Sequence, residues 1–374
     1  MAQELFDRAA NCLNEQLPFV LYRKPNENEL VGVFQDTDKV YIVKDFTESG
    51  FVFAPFDLTS DAILMKMDTV LRGSYNTDYN DLAFDLSRNL IVNSTIEKNR
   101  YLELISNAIN KIDFGYFDKV VVSRKIDVEC KQDHLEIYTR LLKLYEKAFC
   151  YFWYHPKIGA WMGATPEILV KSNGTRFTTM SLAGTQNSND LEAPQWSEKE
   201  LHEQQLVTDY IFETLKDKVV SLSSSKRESV KAGQLWHLRT EIKGSFTPNK
   251  FGDVLKSLHP TPAVCGSPFL EAKKFILDNE NYNRSFYTGF IGELNIKLEQ
   301  SRNKNRRNQE NSAYKSIVKT SELFVNLRCM QLLNNSATIY VGGGITCDSN
   351  PESEWEETVL KSNTMFNVLS HKLQ

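Results

Sequence analysis

Glu354, Glu357 and Lys361 recur three and four residues apart in Ser353-Glu-Trp-Glu-Glu-Thr-Val-Leu-Lys361, so a helix there puts two carboxylates and an ammonium on one face. Before them stands Tyr340-Val-Gly-Gly-Gly-Ile345, a β-branched and aromatic run feeding three glycines. That is the pattern of a strand whose end lets a ligand approach the backbone. Ser353 can cap the helix with Glu356 closing a capping box, which leaves Glu354 and Glu357 without a structural duty. Two carboxylates and an ammonium beside such a strand end can hold a divalent cation together with an anionic small molecule. The same spacing also fits a solvated helix start with an intrahelical Glu–Lys pair.

A second stretch repeats the pair. Ser197-Glu-Lys-Glu-Leu-His-Glu203 opens a long helix with apolar Leu201, Val207, Ile211 and Leu215; Ser197 and Glu200 match a capping box, and Glu203 has no such use. Two glutamate pairs on separate helices point to a shared magnesium site, because magnesium favours a few carboxylates plus water and ligand oxygens. Lys119 enters the run Lys119-Val-Val-Val-Ser-Arg124, whose alternation sends Lys119, Val121 and Ser123 to one face and Val120, Val122 and Arg124 to the other. A lysine there is ordinarily an edge or strand-end charge. Glu167 follows proline in Gly163-Ala-Thr-Pro-Glu167, where an innocent turn residue is the simpler reading. His237, inside the strand-like Leu235 to Thr240, reads as a hydrogen-bonded core histidine, with no second His or Cys at metal-ligand spacing. Arg328 lies in the apolar run Phe324 to Met330, and a buried arginine needs an anion. The proline-rich loop His259 to Pro268 restricts its backbone before any ligand arrives.

These residues need elements to hold them. Periodicity predicts a helix over Gln3 to Leu17 and strands at Phe19 to Arg23, Leu30 to Gln35 and Val40 to Asp45. A polar linker follows at Tyr75 to Asp85, then a helix over Ile91 to Ile112 with Ile96, Tyr101, Ile105, Ala108 and Ile112 near one face. A helix over Leu135 to Ala148 precedes strands at Cys150 to Tyr154, Ala160 to Gly163, Ile168 to Lys171 and Thr178 to Thr185. Tyr287 to Ile296 and Leu323 to Leu332 read as neighbouring strands, joined by an extended, mobile and basic connection over Gln300 to Lys319. A boundary near residue 95 divides an N-terminal portion, 1–95, packed on the main body, from a body of 96–374.

At 374 residues, 41% of them hydrophobic, the chain can bury a large core. A formal net charge of -4 gives no footprint for nucleic acid or an anionic membrane, so a small-molecule partner is expected. No apolar run approaches the roughly 20 residues of a membrane span, and the first residues lack signal-peptide character, which predicts a cytoplasmic chain. The six cysteines show no C-x-x-C spacing and read as reduced thiols.

The set Lys119-Val-Val-Val-Ser-Arg124, Gly163-Ala-Thr-Pro-Glu167, Leu182-Ala-Gly-Thr185, Glu200-Leu-His-Glu203, Leu235-Trp-His-Leu238, His259-Pro-Thr-Pro-Ala263, Asn326-Leu-Arg-Cys329, Gly342-Gly-Gly-Ile345 and Glu354-Trp-Glu-Glu357, in this order, resembles the chorismate-utilising enzymes, and among them the isochorismate synthases. It covers roughly residues 95 to 370; the first 90 contribute little. The resemblance implies an α+β fold of the anthranilate synthase component I type, two packed antiparallel sheets with helices outside. It implies chorismate as substrate, Mg2+ as cofactor, Lys119 as the general base that activates water for attack at C2, and Glu167 as the general acid for the departing C4 hydroxyl. Glu203 and Glu357 would bind the ion, with Glu200 and Glu354 behind them; Gly184, Thr185, His237, Ala263, Arg328, Gly342 and Lys361 would line the substrate.

Within the family, Ala183 stands where aminodeoxychorismate synthases carry a lysine nucleophile, and Lys119 where ammonia-using members usually carry glutamine, so no glutaminase subunit is expected. Salicylate synthases share the lysine base and are the alternative; Thr261-Pro-Ala-Val-Cys-Gly266 looks more like the isochorismate synthases. A non-catalytic chorismate-binding protein is the reading from another class. The chain is expected to be a monomer, and its product goes to menaquinone or to a catechol siderophore, as neighbouring enzymes decide.

Overall fold

Short runs of β-branched and aromatic residues closed by Asn, Asp and Gly dominate this sequence, and they fold as strands in a computed structural model that describes residues 2–75, 94–187, 193–232, 235–301 and 315–369. The chain begins with α1 (Ala2–Glu15), β1 (Phe19–Arg23), β2 (Glu29–Phe34), β3 (Tyr41–Ile42), β4 (Gly50–Ala54), β5 (Ile63–Met65), β6 (Thr69–Ser74), α2 (Thr95–Asp113) and β7 (Lys119–Glu129). It continues through α3 (His134–Leu144), β8 (Phe149–His155), β9 (Gly159–Thr165), β10 (Ile168–Asn173), β11 (Arg176–Asn187), α4 (Glu198–Leu215), β12 (Ser221–Ser224), β13 (Glu228–Ala232) and β14 (Leu235–Ser245). The last part holds α5 (Phe251–Leu258), β15 (Gly266–Ser267), α6 (Phe269–Asn279), β16 (Phe290–Ser301), β17 (Lys315–Val325), β18 (Cys329–Leu332), β19 (Ser336–Ile345) and α7 (Pro351–Leu369).

Among the described residues these strands form two sheets, ordered β15-β7-β19-β18-β9-β8-β1-β2-β6 and β12-β14-β11-β10-β17-β16-β4-β5-β3, with β13 on β14. Neighbours run antiparallel, and the N-terminal strands lengthen both sheets, β1 pairing with β8 and β4 with β16. Inner faces meet over an aromatic interior that includes Tyr22, Phe51, Phe53, Trp153, Trp161, Phe286 and Phe324. Burying each such side chain is worth roughly 1.5–3 kcal/mol. Outer faces carry helices: Leu5, Ile137 and Phe366 of α1, α3 and α7 on the first sheet, Val207, Ile211 and Leu255 of α4 and α5 on the second. This is the α+β architecture that the motifs imply.

Several elements differ from their sequence reading. The strand expected over Val40 to Asp45 shrinks to Tyr41–Ile42, while β4 was not foreseen. The helix expected from Leu135 to Ala148 ends at Leu144. In α2 the residues Tyr101, Ile105 and Ala108 are buried, but Ile96 is 71% exposed, because five residues before Tyr101 turns it well off that face; Ile91 lies outside the described residues. Most of the Tyr75 to Asp85 linker also lies outside them, as do residues 302–314 of the basic connection. That connection's ends are strand, with Lys297 opposite Lys319 and Ser301 opposite Lys315. The strand expected over Leu323 to Leu332 is broken at 326–328, where the chain leaves β17 in one sheet and enters β18 in the other. All six cysteines are free thiols.

Candidate active site

At one end of the space between the sheets lies a cavity of about 170 Å³, a size for a small molecule. β7 delivers Lys119 to it. The alternation sends Val120 and Val122 into the packing under α2 and α6, so Lys119 and Val121 face the cavity, and Lys119 is only 1% exposed. It is no edge charge, since β15 pairs beside it with Ser267 opposite Lys119 and Gly266 opposite Val120. Only glycine serves at 266: φ is +141° and a Cβ would stand 2.2 Å from the Lys119 carbonyl oxygen.

Lys119 Nζ lies 2.7 Å from Glu203 Oε1 on α4. Glu200, one turn earlier, accepts from the Ser197 amide at 2.8 Å and from the Ser197 hydroxyl, so its cap role is realised, and it too lines the cavity. On α7 the cap is Asn350 and not Ser353: Pro351 is the first helical residue, and Asn350 Oδ1 accepts from the Ser353 amide at 3.1 Å. The helix therefore starts earlier than read. Glu354 is not idle either, because it accepts from the Ser349 hydroxyl at 2.7 Å and is 4% exposed. Lys361 Nζ lies 2.5 Å from Glu357 Oε1 and donates to the Gly342 carbonyl at 3.0 Å.

Glu167, between β9 and β10, is 8% exposed, and burial pushes its carboxyl up to about 7 against the opposing pull of Lys119, Lys361 and Arg328. His237 on β14 is drawn down to about 4, by burial first and then by Arg328. It is thus neutral at pH 7. Its Nδ1 sits 3.0 Å from the Gly184 carbonyl, which can only accept, so Nδ1 carries the proton. Arg328 is half-buried at the corner between the sheets, with φ +48°, and Nη1 donates to the Lys361 carbonyl at 3.3 Å.

The cavity wall thus includes Lys119, Glu167, Gly184, Glu200, Glu203, His237, Ala263, Arg328, Gly342, Glu354, Glu357 and Lys361, gathered from both sheets and from α4 and α7. The side chain of Thr185 lies outside the described part. Sequence reading missed Tyr287, Thr288 and Tyr340 as lining residues; Tyr287 and Tyr340 stack at 5.4 Å. As aromatic residues of strand-like runs they carried only a core signal.

Four glutamates from two helices offer hard oxygen donors, the chemistry that suits magnesium. Space is left beside them: a Cβ on Gly344 would stand 3.0 Å from Glu203 Oε1, and one on Gly343 3.5 Å from Glu354 Oε2. As they stand, Lys119 and Lys361 pair with Glu203 and Glu357, and no three acidic, His or Cys groups converge among the described residues. The donor types and the space around them fit the ion.

A family model described as chorismate binding enzyme matches residues 57–299, well over half the chain, and a second of the same description matches 314–367. This chain belongs to the chorismate-binding enzymes. Among curated relatives, the isochorismate synthase EntC of Escherichia coli is 27% identical over 359 residues, covering 92% of this chain and 86% of that protein. The isochorismate synthase DhbC of Bacillus subtilis is 31% identical over 219 residues, 56% of this chain and 50% of that one. Two solved structures share the fold of this chorismate-binding enzyme. The menaquinone-specific isochorismate synthase MenF of Escherichia coli superposes with a TM-score of 0.74 at 21% identity, over 94% of this chain and 89% of that one. Anthranilate synthase component I of Streptococcus pneumoniae gives 0.65 at 19%, over 93% and 92%.

Proposed function

We propose that this enzyme is an isochorismate synthase, an isomerase that converts chorismate to isochorismate with Mg2+. The observation that carries the reading is one small cavity with Lys119 on one sheet and Glu167, its carboxyl raised to about 7, on the connection between β9 and β10. The likeness to EntC over most of both chains supports it. Water is a poor nucleophile and hydroxide a poor leaving group, so the exchange needs a base and an acid, each typically worth ~10²–10⁴ in rate. Lys119 takes a proton from the water that attacks C2. Glu167 gives one to the C4 hydroxyl, which leaves as water when the ring double bonds shift. Proton and oxygen counts balance, and the product is an isomer.

Arg328 and Lys361 hold the substrate carboxylates, and Gly184, Thr185, His237, Ala263 and Gly342 shape the wall around the ring. Glu203 and Glu357 would hold Mg2+, with Glu200 and Glu354 behind them. When bound, the ion supplies a positive anchor for the ring carboxylate. We read the protein as a cytoplasmic monomer without a glutaminase subunit. No described helix is long and apolar enough to cross a membrane.

The test is incubation of purified protein with chorismate, with and without magnesium, and chromatography of the products. Isochorismate in equilibrium with chorismate, only with the metal, is expected. Salicylate with stoichiometric pyruvate would make it a salicylate synthase, and no turnover would make it a chorismate-binding protein without catalysis.

A further inference from the structure

Glu280 and Arg284 lie outside the cavity, in the segment after α6, and the chemistry above leaves them unused. Their side chains are only 1% and 2% exposed. Every N–H of the guanidinium is engaged. Nε donates to Glu280 Oε2 at 2.8 Å, and Nη2 to Glu280 Oε1 and the Val121 carbonyl, both at 2.6 Å. Nη1 donates to the Val264 carbonyl at 3.0 Å and to Thr288 Oγ1 at 3.3 Å. Glu280 Oε1 also accepts from the amide of Ser123 at 2.7 Å and from its hydroxyl at 2.8 Å. Phe56 closes the guanidinium face at 4.6 Å.

A buried ion pair is a weak stabiliser, because desolvation offsets the attraction and apolar residues of the same volume often do as well. What apolar residues cannot do is tie the backbones of two distant segments, β7 and the 259–268 loop, to the segment after α6. Val121, Val264 and Thr288 all line the cavity. Val121 shares the inward face of β7 with Lys119, and Val264 follows Ala263 in the proline-rich loop. We propose that the Glu280–Arg284 pair is a positioning element of the reaction, a clamp that reinforces the backbone pairing of β7 with the 259–268 loop, where the Val121 amide donates to the Cys265 carbonyl at 2.8 Å, and so holds Lys119 against the substrate. This rests on the reading of Lys119 as the base. Arg328 and Lys361, the charged anchors, are carried by other elements, so loosening the clamp misplaces the base and shifts the wall only at Ala263 and Val264. A misplacement of about 1 Å at the reacting atoms costs on the order of 10²-fold in rate.

The experiment compares wild type with Arg284→Lys, which keeps the charge and loses the fork, Glu280→Gln, which keeps the shape, and Ile137→Val in the distant α3 core as a stability control. Amide hydrogen exchange is followed over residues 119–124 and 261–267, and kcat and KM are measured with chorismate. Exchange in both segments is expected to rise at least tenfold in the two clamp variants, with kcat down about 10²-fold and KM within about threefold. In Arg284→Ala, added guanidinium chloride should restore at least tenfold of the lost kcat, saturably, with no effect on the control. Exchange and kcat per folded molecule that match Ile137→Val would overturn the clamp, as would faster exchange with unchanged kcat. The exchange measurement needs no turnover, so a wild type inactive on chorismate would sink the functional reading and leave the geometric half of the clamp standing on its own test.

Discussion

Glu167 shows how one residue separates stability from function. Its carboxyl titrates at about 7 in the fold against an ordinary value of 4.5, and burial is the main cause. The sign follows from linkage: the folded state binds the proton more tightly, so this group's favourable contribution is fully present below about 4.5 and lost as pH rises through about 7. The ionised carboxylate therefore weighs against the fold at alkaline pH. Glu167→Gln, neutral at every pH, should therefore melt higher than wild type at pH 8.5 and near it at pH 5, as thermal scans at the two pH values would show. The same variant should lose about 10²–10⁴ in turnover, because glutamine cannot donate the proton, and wild-type kcat should fall above about pH 7. Equal melting temperatures at pH 8.5 would mean that the carboxyl is not buried as an acid. Little of this was legible beforehand: proline before Glu167 gave a turn, but desolvation depends on elements distant in sequence such as β17, whose Val325 amide donates to the Glu167 carbonyl at 3.0 Å.

At the scale of elements, the glycine run of β19 earns its place through its neighbours. A Cβ at 344 would stand 3.0 Å from both Glu203 Oε1 and Lys119 Cε, and at 343 its nearest neighbour, Glu354 Oε2, would be at 3.5 Å, an ordinary contact. Gly344→Ala should thus lower kcat by about tenfold or more while the melting temperature moves by a few degrees at most, and Gly343→Ala should be milder in steady-state kinetics. Equal effects at the two positions would count against the geometry drawn for Lys119 and Glu203. The break between β17 and β18 is the element that sequence pattern hid. Phe324 to Met330 is apolar apart from Asn326 and Arg328, a pattern that also fits one continuous strand, yet Arg328 reaches the cavity only because the chain changes sheet there. The cap of α7 was misplaced for a related reason: Ser353 and Glu356 fit a capping box by spacing, and Asn350 followed by Pro351 fits a helix start better.

At the scale of the whole molecule, the first 75 residues matter although they carry no site residue. Removing residues 2–75 would take β1, β2 and β6 from one sheet and β3, β4 and β5 from the other, baring the aromatic β8 over Cys150–Tyr154 and β16 over Phe290–Leu294. Such a truncated chain is expected to aggregate on expression, and size-exclusion chromatography of the soluble fraction would check it; a soluble, folded fragment would show that the remaining strands close the core alone. Tyr22, whose hydroxyl donates to Glu293 across the two sheets, belongs to the same junction.

The amino-acid sequence by itself determined most of the elements and named residues that line the cavity, because glutamate spacing on helices, alternation on β7 and glycines at a strand end are local patterns with local physical causes. The ordered motifs also carried the family. Tertiary structure alone decided which groups meet: Lys119 with Glu203 across 84 positions, and Glu280 with Ser123 across 157. It alone decided the raised carboxyl of Glu167 and the neutral ring of His237, since desolvation is set by everything that packs around a group. The clamp at Arg284 belongs to the same class. Arg284 finds Glu280 and Thr288 four residues away on either side, but the carbonyls of Val121 and Val264 that complete its partners come from distant backbone, and no spacing along the chain announces them.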